Sequence, residues 1–213
     1  MNLLHLVSVL SRDGFNVAGA IGTDFSPVLI QAANKEAQSY LGPAERSQVQ
    51  FCVAKNETLL EDLSAGLGQE LSKLENSFQF IIGVNTIRYC HRAGKQFDCA
   101  RDIFRLLAPG GVCAVIDMND RFPAFRSALK NKLRGTDEQE KEKECYLPSL
   151  EEYTAPFQQT GFDVSRSEHF CWIPHSAGRF MTRLLHSLSP ILGAVAGSRA
   201  MRSLVVAKKP LQS

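Results

Sequence analysis

The chain has 213 residues, of which 44% are hydrophobic and 22% charged, with a formal net charge of +2. That length suffices for one α/β domain with a sizeable core, and the near balance of charge supplies no strong field for nucleic acid or a membrane surface. No apolar run reaches the roughly 20 residues needed to cross a bilayer.

The first ten residues are apolar but lack the basic n-region and small-residue cleavage site of a signal peptide, so they read as a helix. The six cysteines (Cys52, Cys90, Cys99, Cys113, Cys145, Cys171) are scattered, with no Cys-x-x-Cys pair. They read as reduced structural thiols of a cytoplasmic protein.

Leu3, Leu6, Val7 and Leu10 recur at helical spacing, and Asp13-Gly14 stops that helix. Phe15 to Thr23 is expected to be a buried strand. Ser26 is placed to cap the next helix, with Pro27 at its first position. Leu29, Ala33 and Ala37 share a face of that helix, and Gly42-Pro43 ends the unit. Val49 to Ala54 reads as a short strand and Thr58 to Leu74 as a helix.

Phe78 to Val84 is a continuous apolar run, the pattern of a parallel strand covered on both faces. Phe97, Ala100, Ile103, Phe104 and Leu107 form a helical stripe. Pro109-Gly110-Gly111 breaks it, and Val112 to Ile116 is the next strand. The segment from Lys130 to Glu144 is highly charged and reads as an exposed helix or loop. Ser149 to Glu152 is a capping box, Pro156 is expected to kink the helix it opens, and Gly161 ends that helix. Phe162 to Trp172 reads as a strand. Phe180, Met181, Leu184, Leu185 and Leu188 form an apolar helical face before Pro190, and Met201 to Lys208 is the last strand. Strand and helix alternate, which predicts an α/β fold with a doubly wound, mostly parallel sheet.

Two junctions carry a family resemblance. Gly22-Thr-Asp-Phe-Ser-Pro-Val-Leu-Ile-Gln-Ala-Ala33 is a strand ending in an acid, followed by a capped helix. Phe104-Arg-Leu-Leu-Ala-Pro-Gly-Gly-Val-Cys-Ala-Val-Ile-Asp117 is a helix end, a Pro-Gly-Gly break and a buried strand ending in an acid. In this order, with two late strands, they resemble a class I S-adenosylmethionine-dependent methyltransferase over most of the chain, Leu3 to Lys209. The resemblance implies one Rossmann-like domain, with residues 1–120 as the cofactor-binding half and 121–213 as the substrate side.

It also implies a first strand and a Gly-x-Gly-x-Gly loop before the first helix. Here the first helix begins almost at Met1, so that loop and its strand are expected to be missing, as in an amino-terminally shortened form. A nicotinamide-dependent dehydrogenase also has an acid after its second strand, but the Pro-Gly-Gly junction and the late pair of strands count against it.

In open α/β sheets ligands bind beyond the carboxyl ends of the strands. Those ends hold Asp24, the Lys55-Asn56-Glu57 segment, Asn85-Thr86 and Asp117-Met118-Asn119. The resemblance implies that Asp24 holds the ribose of S-adenosylmethionine, that Phe25 packs on the adenine, and that Asn56 or Glu57 contacts the adenine amino group. It places Asn85 near the methionine end. Thr86, Tyr89, Asn119 and Trp172 are the candidate substrate contacts, and the acceptor is expected to be a small molecule.

His91 and His175 are the candidate bases, since a hydroxyl acceptor is helped by one near neutral pKa. No metal-ligand spacing is present, and neither metal nor nucleic acid is expected as a partner. Arg179 and Arg183, beside the apolar face after His175, read mainly as solvated side chains; holding an acidic substrate or lying on a membrane are the sharper readings. The alternative function is a catalytically inactive methyltransferase-fold protein that binds a partner through that apolar helix.

Overall fold

The computed structural model describes residues 3–122, 147–173 and 177–211. These fall into two compact units, Met1–Leu74 and Glu75–Ser213. The charged segment from Lys130 to Glu144 lies outside the described residues.

In the first unit, helix α1 (Leu3–Arg12) is followed by strand β1 (Ala20–Asp24), α2 (Pro27–Tyr40), α3 (Pro43–Ser47), β2 (Val49–Val53), α4 (Leu59–Leu67) and α5 (Leu71–Leu74). β1 and β2 pair in parallel from Ala20↔Val49 to Asp24↔Val53. The expected strand from Phe15 is shortened to start at Ala20. β2 has only five residues, so nothing in this ladder can bond the segment before Ala20. Gly22 faces the Phe51 ring, where an added Cβ would stand 2.6 Å from two ring carbons, and only glycine avoids that clash. The core of the unit is Leu4, Ala37 and Leu41, with Val49 and Phe51 packed against it. The helix expected over 58–74 divides in two because Gly68 takes a left-handed conformation (φ 61°) and ends α4.

The second unit contains β3 (Phe78–Val84), α6 (Ile87–Arg92), α7 (Gln96–Leu106), β4 (Leu107–Met118), α8 (Leu150–Thr160), β5 (Asp163–Phe170), α9 (Arg179–Ala196) and β6 (Arg202–Lys208). Its four-stranded sheet has the order β3-β4-β6-β5. β3 and β4 are parallel, and both pairs made by β6 are antiparallel. This mixed sheet with its helices is the Rossmann-like arrangement expected, with the antiparallel end formed by the late strands.

The expected strand at Val112 extends back to Leu107. Pro109-Gly110-Gly111 sits inside it as an irregularity: pairing steps from Phe78↔Leu107 to Phe80↔Val112. Gly110 has φ 80°, which glycine tolerates. Backbone bonds Gly110 N–H to Lys209 O and Lys209 N–H to Gly111 O (2.9 Å each) hold the irregular stretch against the end of β6.

α7 buries Cys99, Ala100, Ile103 and Leu106, while α8 buries Tyr153 and Phe157. Phe162 packs edge-on against Phe104 and Phe157 at 4.9 and 5.5 Å between ring centres. The buried Phe157 and Phe162 rings each contribute about 1.5–3 kcal/mol by removal from water. The capping box forms as expected: Ser149 Oγ accepts from Glu152 N–H, and Glu152 Oε2 accepts from Ser149 N–H. α8 continues through Pro156 to Thr160, and α9 likewise continues past Pro190 to Ala196.

β3 departs from the sequence expectation of burial on both faces. Its residues are half-buried or exposed, and Phe80 is 45% exposed, because β3 is the edge strand of its ladder. β4, one place in, buries every second residue from Gly111 through Asp117. The five described cysteines are free thiols. Burial pushes the Cys113 thiol up to about 12. Among the described residues no helix is long and apolar enough to cross a membrane.

Candidate functional site

The candidate residues divide into two sets, one in each unit.

In the first unit, parallel pairing sets the carboxyl ends of β1 and β2 side by side, with Asp24 opposite Val53. Asp24 is half-buried there. Its Oδ1 accepts the Ser26 N–H at 2.8 Å, and its own carbonyl accepts from Ala54 N–H at 3.1 Å. Ser26 Oγ in turn accepts from Leu29 N–H and caps α2. One carboxylate oxygen therefore fixes the turn, while the other retains lone pairs for hydroxyl donors. Phe25, next in sequence, is 62% exposed.

Three residues beyond β2, Asn56 opens a 3-10 turn, Asn56–Thr58, and both Asn56 and Glu57 are half-buried. Asp62 of α4 shapes that turn through its Oδ2, which accepts from Lys55 N–H at 2.8 Å and Thr58 Oγ1 at 3.1 Å. Asp24, Phe25, Asn56 and Glu57 thus follow the same end of one parallel pair. The role of Asp62 escaped the sequence reading, because it depends on a helix folding back over a turn seven residues earlier.

In the second unit, Asn85 follows β3 in a left-handed conformation (φ 57°). Its N–H donates to Ile116 O at 2.8 Å, and its Oδ1 accepts from Arg202 Nη1 at 2.6 Å. Thr86 begins α6 and sits over Gly83, where a Cβ would come within 2.8 Å of its Oγ1. Asp117, near the end of β4, is buried. Its carboxylate accepts from Arg88 N–H at 3.2 Å and Met118 N–H at 2.9 Å. Burial pushes the Asp117 carboxyl up, against the pull of those two N–H groups and of the Arg88 and Arg202 charges. Asn85, Thr86, Asp117, Arg88 and Arg202 therefore form a polar cluster at the β3–β4 end.

Arg202 was not singled out from sequence. It is separated from Asn85 by 117 residues, and only the antiparallel return of β6 brings it there.

The other candidates are more scattered. Tyr89 is exposed; its hydroxyl accepts from Arg88 Nη2 at 2.9 Å, and the Arg88 and Arg92 guanidinium groups lie 4.8 and 5.7 Å from its ring centre. Asn119 is buried and heavily engaged. Its Nδ2 donates to Ser198 O and Ala200 O, and its Oδ1 accepts from Arg121 N–H. Trp172 is half-buried after β5, and His175 lies outside the described residues.

His91 is packed edge-on against Tyr153 at 5.5 Å. Burial pulls its imidazole down, opposed by the Glu152 charge, and its Nε2 has no hydrogen-bond partner among the described residues. Among those residues no group of three His, Cys, Asp or Glu side chains is placed to hold a metal ion.

Comparison with known proteins bears on the family and the fold. The profile of a family described as "Methyltransferase domain" matches residues 4–168. Among solved structures, the chain is similar to one described as a complex between the Haloferax volcanii Trm112 methyltransferase activator and a putative methyltransferase. That match has 17% identity and a TM-score of 0.59, and it covers 100% of this chain and 80% of the other. It is similar to a SAM-dependent methyltransferase from Methanosarcina mazei, at 14% identity and a TM-score of 0.59 over 98% and 87% of the two chains. A third, an S-adenosylmethionine-dependent methyltransferase from Mesorhizobium loti, has 14% identity and a TM-score of 0.59 over 96% and 86%. No curated protein matches.

At these identities the solved structures speak for the fold, while the family profile spans most of the sequence. The chain belongs to the methyltransferase-domain family, with the Rossmann-like fold of the class I S-adenosylmethionine-dependent enzymes.

Proposed function

We propose that this protein transfers a methyl group from S-adenosylmethionine to a small-molecule acceptor. The observation that supports this most is the Asp24 carboxylate, held by the Ser26 N–H at the carboxyl end of a parallel strand pair. One oxygen is fixed by the turn and the other faces no described donor, which fits a diol presenting two hydroxyl hydrogens. The exposed Phe25 ring beside it fits a flat base.

In this reading Asp24 binds the ribose, and Phe25 and Asn56 (or Glu57) border the adenine. The family resemblance assigns Asn85 to the methionine end; its side chain is held by Arg202. Thr86, Tyr89, Asn119 and Trp172 are on the substrate side. Asn119 supports that side by fixing the backbone of residues 198–200, since its side chain is already committed.

The cofactor supplies a methyl group on a positively charged sulfur, already activated for attack. What remains for the protein is to align the acceptor and exclude water, as positioning alone can lower the barrier by several kcal/mol. A hydroxyl acceptor also needs a base. His91, whose charged form burial disfavours, is one candidate. His175 is the other candidate.

The test is calorimetric titration of S-adenosylhomocysteine into the 213-residue chain and into Asp24→Asn. The amide keeps an oxygen for the Ser26 N–H but loses the charge that strengthens hydroxyl contacts. Two charge-assisted hydrogen bonds, each about 1.5–3 kcal/mol, predict at least a tenfold loss of affinity. With tritiated methyl on S-adenosylmethionine and a cell extract, label then appears in the low-molecular-mass filtrate. No binding by the folded chain, or equal binding by Asp24→Asn, refutes the reading. Label confined to macromolecules refutes the small-molecule acceptor.

A further inference from the structure

α9, Arg179–Ala196, follows β5 and packs mainly on the short 3-10 turn after it, Gly197–Arg199; none of its residues is buried. At roughly 100° per residue, Phe180, Leu184, Leu188, Ile191 and Val195 fall along one line, with Met181 beside them. All six are exposed: Phe180 is 78%, Ile191 61% and Val195 82% accessible. Arg179 and His186 lie on the opposite side and Arg183 on the flank beside Phe180. A contiguous apolar face of this length is unusual on a free surface and marks a place where something docks.

The charge pattern says what kind of surface fits. From His169 to Ser213 the sequence holds no Asp or Glu, while the basic Arg179, Arg183, Arg199 and Lys208 are exposed; Arg202 and Lys209 are buried and paired within the fold. The chain as a whole is close to neutral because its acids lie before this point. The helix is about 27 Å long at 1.5 Å per residue, yet no described helix is apolar enough to cross a membrane. An apolar stripe of aliphatic and aromatic residues opposite a cationic side, on a helix that cannot span, is the physical description of one lying in the plane of a membrane interface. Anionic headgroups complement the arginines, and the acyl boundary takes the stripe.

We propose that α9 is an interfacial membrane-binding helix selective for anionic lipid. This reading stands apart from methyl transfer and holds whether or not Asp24 binds the cofactor.

The test is co-sedimentation of the full chain with sucrose-loaded vesicles of phosphatidylcholine alone, or with 30 mol% phosphatidylserine (about the anionic share that charges a cytoplasmic leaflet). Binding is expected to the mixed vesicles and to fall as salt is raised. Leu184→Glu/Ile191→Glu replaces two exposed side chains and is expected to lower partitioning at least tenfold. Arg179→Gln/Arg183→Gln leaves the stripe intact and is expected to lower binding to anionic vesicles roughly 30-fold. Circular dichroism of both variants checks that they fold; if the glutamate pair does not, the arginine pair carries the test by itself.

Absence of binding to the mixed vesicles overturns the proposal, as does binding that ignores both variants. Equal binding to neutral vesicles removes the lipid selectivity. A dimer in sedimentation velocity that Leu184→Glu/Ile191→Glu converts to monomer, with no lipid binding, assigns the face to a second copy instead.

Discussion

Replacing Asn85 separates two costs that meet at one residue. Its backbone is left-handed (φ 57°), and its side chain accepts a 2.6 Å hydrogen bond from the buried Arg202 guanidinium. A hydrogen bond to a charged group contributes about 1.5–3 kcal/mol, and an alanine forced into the left-handed region costs about 1–2 kcal/mol. Asn tolerates that region more easily, so Asn85→Ala should lose about 2.5–4 kcal/mol in all.

Asn85→Gly loses the same hydrogen bond but none of the backbone energy. It gives back about 0.4–1 kcal/mol through the freer unfolded chain. The glycine variant should therefore be about 0.5–1 kcal/mol more stable than the alanine variant, although glycine usually destabilises.

Urea denaturation gives the difference between the two variants. Exchange of the Asn85 amide, which bonds Ile116 O, reads the same quantity locally. If glycine proves no better than alanine, the backbone argument fails. If alanine lies within about 0.5 kcal/mol of the parent, the Arg202 contact contributes little and the polar cluster is not a structural unit.

Lys209 gives a second test of a long-range polar contact. Its buried ammonium donates to Asn76 Oδ1, Phe104 O and Leu107 O at 2.7–2.8 Å and lies 4.6 Å from the Phe104 ring centre. Lys209→Met keeps the stem but leaves these acceptors unpaired. A loss of about 2–4 kcal/mol is expected, seen as a fall of roughly 4–16 °C in Tm. A pH prediction follows from the histidines. Burial holds His91 and His169 below their ordinary value of 6.5, against the Glu152 and Asp120 charges. The unfolded chain therefore binds more protons between the folded values and 6.5. Stability should be full above about pH 6.5 and fall as pH drops through the folded values. His91→Phe, which keeps a ring against Tyr153, should flatten that fall in urea titrations at pH 7.5 and 5.5; an unchanged slope refutes the assignment.

How much of this was legible in the sequence follows from the range of the forces involved. Local signals are complete within a few residues. Ser26-Pro27 and the Ser149–Glu152 capping box start α2 and α8 where the sequence places them, because a cap needs only its own turn. The position of Asp24 at a strand end before a helix cap was likewise legible from Gly-x-Asp-x-Ser-Pro, since the three features are neighbours in the chain.

Strand limits were less legible. Phe15 to Gly19 has the composition of a strand but is outside the ladder, which stops where β2 stops. Pro109-Gly110-Gly111 looks like a break and instead sits inside β4, because the Lys209 backbone bonds back to it. β3 reads as covered on both faces, yet hydropathy cannot say that it has a bonded neighbour on one edge only.

The polar cluster was least legible. Arg202 reaches Asn85 from 117 residues away, and no local pattern encodes a contact made by an antiparallel return. For this protein the sequence alone determined the element types, their order and the family. Tertiary structure decided strand pairing, the partners of Asn85 and Asp117, and the exposure of α9. Propensity and capping act through neighbours in the chain, whereas burial and ladder bonding depend on segments that meet only after folding.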